Sequence, residues 1–144
     1  MLRGRLALVQ RLKTRPQFQA VLAGVIVART THFALHRNAL DAMNAQTVPS
    51  KTHDTPDLFP VQDVWVGAMV PKRWAKRAVT RNAIKRQIYT VSADFSPRLS
   101  RSGWVIRLRR DFSRKEFVSA SSEALKQAVR SEVQALMQAG AQAA

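Results

Sequence analysis

The stretch Pro71-Lys72-Arg73-Trp74-Ala75-Lys76-Arg77-Ala78-Val79-Thr80-Arg81-Asn82-Ala83-Ile84-Lys85-Arg86 carries seven basic residues and no acid. A solvated helix face is normally laced with opposite charges three or four residues apart, which support one another. This stretch has none, and unpaired like charges destabilise a lone chain, so the segment is suited to an external anion. Its second half is helical in pattern, starting between Arg77 and Thr80. At ~100° per residue, Thr80, Ile84, Ile88, Val91 and Phe95 fall on one stripe. Asn82, Lys85, Arg86 and Tyr89 lie opposite, Arg81 flanks the stripe, and Ser96-Pro97 ends the helix. An amphipathic helix with an apolar side for a sheet and a cationic comb outside is the predicted centre of the fold.

Working outward, Val61 to Val70 reads as a strand apolar on both faces, hence central in its sheet, with Gly67 allowing close backbone approach, and Pro71 stops it. After the helix, Gly103 to Arg109 is a strand with Trp104, Ile106 and Leu108 inward and Arg107 and Arg109 opposite. Ser113-Arg114-Lys115-Glu116 is a capping box leading to a long helix with Leu125, Val129, Val133 and Leu136 on its core side. Residues 139–144 have no anchoring side chain and are expected to fray. Towards the N-terminus, Thr14-Arg15-Pro16-Gln17 starts a short helix through a capping box with proline in the first turn. Phe18, Val21 and Leu22 share its inner face, and Gly24 ends it. Val25 to Leu35 reads as one long strand whose alternation puts Arg29 and Phe33 on the same face, part core and part binding groove. Residues 36–60 read as a long exposed insertion loop holding part of the acidic content, with room for a helical turn or two over Ala39 to Ala45. The expectation is one domain, 1–144, of the α+β class: a small α/β sandwich of about four strands with an N-terminal helix, the basic central helix and a C-terminal helix.

Composition sets the outer limits. The chain has 144 residues, 46% of them hydrophobic, and 24 Lys+Arg against 9 Asp+Glu, giving a net charge of +15. That is enough chain for one real core. The absence of cysteine excludes disulfides, cysteine-bound zinc and thiol catalysis. No run approaches the ~18–20 apolar residues of a membrane span, and Leu6 to Val9 is too short for a signal-peptide core, so a cytoplasmic location is expected. The excess charge calls for a polyanion. An anionic membrane fits poorly, because the apolar stripe opposite the basic comb is too short for anchoring. His32, His36 and His53 share no element with a carboxylate at a spacing suited to acid–base or metal chemistry, so no catalytic residue and no protein-held metal is assigned. Nucleic acid is the indicated partner: arginine forks grip phosphates bidentately, Asn82 can bond a base edge or ribose hydroxyl, and Lys85 adds a point charge.

The quoted stretch, with Gly67-Ala68-Met69-Val70 before it, resembles the signature of the bacterial ribonuclease P protein component. A strand exits into Lys72-Arg73, Arg77-Ala78-Val79 supplies the linker, and Arg81-Asn82-Ala83-Ile84-Lys85-Arg86 supplies the helix. The order of elements agrees, from the Phe18-Gln19-Ala20-Val21 helix to the Trp104–Arg109 strand and terminal helix, over roughly Leu12 to Met137. The resemblance implies a left-handed βαβ crossover, which general connection rules disfavour. It also implies a protein subunit that binds a catalytic RNA and the 5′ leader of precursor tRNA. The hydrolysis would be performed by the RNA with Mg²⁺, with no cofactor on the protein and no obligate protein partner. Carried over by position, Lys76, Arg77, Arg81, Asn82, Lys85 and Arg86 would contact the catalytic RNA. Phe18, Leu22, Arg29, Phe33, Lys72 and Arg73 would line the leader cleft, where rings and charge suit a single strand.

Two positions depart from that signature. Ala83 stands where an arginine is common, and Tyr89-Thr90 where Arg-Glu is usual, so no contact is assigned to them. Arg29 or Arg107 on the sheet would offset the missing charge. A different class of protein with the same charge, a ribosomal or RNA-chaperone type binder without catalytic RNA, is the alternative reading.

Overall fold

A computed structural model of the chain describes residues 9–47, 57–112 and 123–143. In chain order the elements are β1 (Gln10–Arg11), α1 (Arg15–Leu22), β2 (Val25–Arg29), β3 (Phe33–Ala39), α2 (Leu40–Thr47), β4 (Trp65–Met69), α3 (Ala78–Phe95), a short 3-10 turn (Ser96–Arg98), β5 (Ser102–Leu108) and α4 (Glu123–Ala143). The sheet has five strands in the order β1-β4-β5-β3-β2, one more than expected. The extra strand is β1, two residues paired in parallel with Trp65 and Val66 and too short to leave a period in the sequence. Parallel neighbours β4 and β5 are connected through α3, while β3 pairs antiparallel with both β5 and β2.

The alternation of β5 divides the molecule into layers. Trp104, Ile106 and Leu108 point to one face and are fully buried against Ile84, Ile88 and Val91 of α3 and Leu125, Val129, Val133 and Leu136 of α4. Val105 points to the other face, into a smaller core with Val21 of α1, Leu40 and Met43 of α2, Phe59 and Trp65. Burying each such aliphatic side chain is worth about 1.5–3 kcal/mol, so the strand is held from both sides. The helices therefore cover both faces of the sheet. The capping box of α1 is present: Thr14 Oγ1 accepts from Gln17 N at 3.3 Å while Gln17 Oε1 accepts from Thr14 N at 3.2 Å.

Residues 25–35 are not one strand. Thr30 N donates to Phe33 O at 2.9 Å and closes a turn that separates β2 from β3. The turn lacks the Gly, Pro or Asn that would mark it in the sequence, and long-range bonds hold it instead. Thr30 Oγ1 and His32 N both donate to Glu132 Oε2 on α4, and His32 Nδ1 lies 2.8 Å from Glu132 Oε1. Arg109, just past β5, donates from Nη1 to Thr30 O and Thr31 O, each at 3.0 Å, so it secures the turn and is not a strand-face residue.

The expected 36–60 insertion also resolves differently in its described parts. His36 to Ala39 complete β3, in register with β5 as far as Ala39 opposite Ser102. Leu40 and Met43 then anchor α2 in the smaller core. Phe59 is fully buried and is fixed by Asn44, whose side chain accepts from Phe59 N at 2.9 Å and donates to Phe59 O at 3.1 Å. Residues 48–56 and the Ser113–Glu116 capping box lie outside the described residues. In the expected frayed tail, α4 continues to Ala143. Gly140 is buried against Leu35 and Trp104, where a Cβ would collide with Leu35. Absence of a side chain is the anchor there, which a search for large apolar residues misses.

Candidate nucleic-acid interface

Two arginine- and lysine-rich surfaces are set on opposite faces of the sheet. The first belongs to α3 and the loop that leads into it. Trp74 N and Ala75 N both donate to Pro71 O at 3.1 Å, curling the chain so that Ala75 is buried while Lys76 and Arg77 stay exposed. Arg77 occupies the N-cap in extended conformation with no side-chain cap, and no acid stands in the first turn. The positive end of the helix dipole thus coincides with Lys76 and Arg77. Arg81 has a different position from its neighbours: its Nη1 donates to Ala75 O at 3.0 Å and Lys76 O at 2.8 Å. It ties the loop to the helix and presents only its remaining donors outward. Asn82 and Arg86 are exposed and Lys85 half-buried on the same side. Lys76, Arg77, Lys85 and Arg86 form no ion pair among the described residues. Five of the six side chains assigned to the catalytic RNA are therefore open outward, and the sixth is partly spent on the scaffold.

On this same face, a groove of about 630 Å³ runs between β1 and α3. Arg11, facing the α3 side through its pairing with Val66, lays its guanidinium 4.0 Å from the centre of the Tyr89 ring. The Tyr89 hydroxyl accepts from Ala68 N at 3.2 Å. That N–H lies on the edge of β4 just beyond the last β1 pairing, so the tyrosine replaces the missing strand there. Sequence reading left Arg11 out because a two-residue strand has no periodicity.

The second surface lies on the α1 side of the sheet. Register puts Arg29 beside Ala34, Ala34 beside Arg107, and Arg107 beside Met69; Ile26, His36, Val105 and Gly67 form the next row. Phe18 and Leu22 of α1 lie at the rim of this groove with Met69, half-buried. Gly67 admits the Phe18 ring: a Cβ there would stand 2.6 Å from ring carbon Cε1. His36 is buried, and its Nε2 accepts from Arg107 Nε at 3.1 Å. Burial first, then the Arg107 and Arg29 guanidiniums, hold its imidazole below its ordinary value of 6.5. Its Nδ1, which carries the proton in that tautomer, has no partner among the described residues. Lys72 and Arg73 are exposed just past the end of β4, and Arg73 lies over the Trp74 ring at 5.3 Å.

Phe33 does not belong to this groove. It is fully buried among the α3 and α4 side chains on the opposite face. The turn at residues 30–32, with an irregularity between Ile26 and Ala28, breaks the simple alternation that put Arg29 and Phe33 together. His36 and Met69 are the groove residues that sequence reading did not assign. His36 was hidden inside the supposed insertion, and Met69 in a strand read only as core.

Among the described residues no three His, Asp or Glu side chains come together as a possible metal site. No described helix is long and apolar enough to cross a membrane. The family model described as Ribonuclease P matches residues 6–136. The "Ribonuclease P protein component" of Trichormus variabilis is 35% identical over 98 residues, covering 65% of this chain and 68% of that protein. The protein of the same name from a Nostoc species is 33% identical over the same span and shares. Among solved structures, the Staphylococcus aureus RNase P protein superposes with a TM-score of 0.61 at 15% identity, covering 91% of this chain and 94% of that one. A mutant of that protein gives 0.58 at 16% identity, covering 89% and 85%. On a family match spanning both cationic surfaces and every strand of the sheet, the chain belongs to the ribonuclease P protein-component family.

Proposed function

We propose that this chain is the protein subunit of a ribonuclease P ribonucleoprotein, binding its catalytic RNA and the 5′ leader of precursor tRNA to assist 5′ maturation. The observation that carries this reading is the acid-free row Lys76, Arg77, Asn82, Lys85 and Arg86, held at fixed spacing by a helix docked on the sheet. A rigid row of this kind suits a folded RNA, which is read by shape and backbone. The α1-side groove, with Phe18, Leu22 and Met69 beside Arg29 and Arg107, suits a single strand, through stacking on rings and charge along the backbone. Lys72 and Arg73, at the end of β4 where the chain passes from the sheet to the α3 loop, lie between the two surfaces. Two surfaces on opposite sides of one sheet favour a protein that bridges two RNA elements.

The chemistry is assigned to Mg²⁺ ions held by the RNA, and the chain supplies binding and orientation. Reconstitution at low Mg²⁺ tests this: precursor tRNA is incubated with the protein, with ribonuclease P RNA, or with both. Cleavage at the mature 5′ end is expected to be stimulated strongly only in the mixture. Equal cleavage with and without protein would support instead a binder of the ribosomal or chaperone type. Cleavage by the protein alone would overturn the assignment of the chemistry to RNA.

A further inference from the structure

The outer stripe of α3 is not uniformly basic. Asn82, Lys85 and Arg86 occupy its first half, but one and two turns on it carries Tyr89, Thr90, Ala93 and the carboxylate of Asp94. An RNA backbone that follows the whole stripe would run out of positive charge. The structure supplies a cation there from outside the helix, since Arg11 reaches across from β1 and holds its guanidinium over the Tyr89 ring, within the same groove as Lys85 and Arg86.

We infer that Arg11, positioned by Tyr89, extends the α3 surface into a phosphate subsite for RNA in the groove between β1 and α3. This deepens the proposed function and rests on it. Three observations converge. First, Arg11 is exposed and forms no ion pair among the described residues, so its charge is not already neutralised. Second, stacking on a ring leaves all five guanidinium donors in the plane free, so a stacked arginine still forks onto a phosphate. Third, Tyr89 is itself immobilised by the bond from Ala68 N, which gives Arg11 a fixed platform. Phosphate belongs at the Arg11, Lys85 and Arg86 end. Asp94 repels it at the other end and offers an acceptor for a ribose hydroxyl or an exocyclic amine. Arg29 and Arg107, the alternative sources of compensating charge, face the other side of the sheet and cannot serve this groove.

The test measures affinity for a ribonuclease P RNA transcript across a range of salt. Arg11→Gln is a surface change and should keep the native melting temperature. It is expected to weaken binding about three- to tenfold at physiological salt and to reduce the salt slope by about 0.7–0.9, one phosphate's worth. Tyr89→Leu removes the platform and is expected to lower affinity and slope in the same sense, while Tyr89→Phe keeps the ring and most of both. In an Arg11→Gln background, Tyr89→Leu should change the slope no further, which a merely structural tyrosine would not do. If Tyr89→Leu does not fold, Arg11→Gln and Arg11→Lys decide the matter, with lysine expected to retain the slope. Tight binding by the parent chain with an unchanged slope in Arg11→Gln would overturn this inference alone. No binding of the transcript by the parent chain would overturn the proposed function.

Discussion

At the scale of single residues, the sheet face on the α1 side holds a buried histidine that sequence reading placed in a loop. His36 is buried beside Arg107, from whose Nε its Nε2 accepts, and Arg29 adds to the positive charge around it. Protonation would remove that acceptor and place a third positive charge beside Arg107 and Arg29, and for these reasons burial and both arginines lower its pKa. The sign follows from linkage. An imidazole whose folded value lies below 6.5 takes up its proton more readily in the unfolded chain. The stability it contributes is therefore complete above about pH 6.5 and is lost as the pH falls through the folded value. In Arg107→Gln the burial remains but the nearer charge is gone, so the His36 titration, followed by its ring NMR signals, is expected to move up towards 6.5. A midpoint unchanged by Arg107→Gln would remove Arg107 as a cause. Glu132 works in a separate window. Burial raises its pKa, but the bonds from Thr30 and His32 outweigh this and leave it below 4.5, so its hold on the β2–β3 turn fails only at more acid pH.

At the scale of elements, what was legible in the sequence is what local periodicity encodes. The apolar stripe Ile84, Ile88, Val91 and Phe95 sets the rotation of α3, is buried in the fold, and thereby turns Lys85 and Arg86 outward. The alternation of Trp104, Ile106 and Leu108 likewise sets the face of β5. What was not legible depends on distant partners. The turn after Arg29 is held by Glu132, about a hundred positions away, and that turn moved Phe33 to the opposite face. The two-residue β1 exists because the edge of β4 needs a partner, and α2 is stabilised by a core that forms only once β4 and β5 are in place. Gly67 marks a place of close approach in the sequence, but not which side chain comes there. Phe18 sits over Gly67, so the groove rim depends on β4 having no side chain at that position. Gly67→Ala should push against both Phe18 and Leu12, whose nearest atoms would lie 2.6 and 2.7 Å from the new Cβ. Overpacking of this kind costs about 1–3 kcal/mol. An unfolding free energy lowered by that amount in urea titration is expected, whereas Gly67→Ala with parental stability would mean that α1 can lift freely and that the rim is not fixed.

At the scale of the whole molecule, cations among the described residues stand on both faces of one sheet: Arg11, Lys85 and Arg86 on the α3 side, Arg29 and Arg107 on the other. At physiological ionic strength the Debye length is about 8 Å, so charges across the sheet interact weakly while those within one face repel. The α3 face has no acids of its own apart from Asp94 at its far end, and its cations are held in place by Ile84 and Ile88 in the core rather than by carboxylates. Repulsion is therefore stored in the native state and is relieved when an anion binds. An anion that binds the folded chain and not the unfolded one stabilises it by RT ln(1 + [L]/Kd), about 1.4 kcal/mol at ten times Kd, which raises the melting temperature of a chain this size by a few degrees (about 2–8 °C per kcal/mol). Sulfate also stabilises proteins generally by exclusion from their surfaces, so the informative quantity is a difference. A Lys85→Gln/Arg86→Gln variant keeps the apolar stripe and loses two charges of the face. In sulfate titrations run against sodium chloride at equal ionic strength, the parent chain is expected to gain more than the variant, and the variant to start from a slightly higher melting temperature because its repulsion is smaller. Equal gains would mean that sulfate acts only through exclusion and that the α3 face is not a preformed anion site.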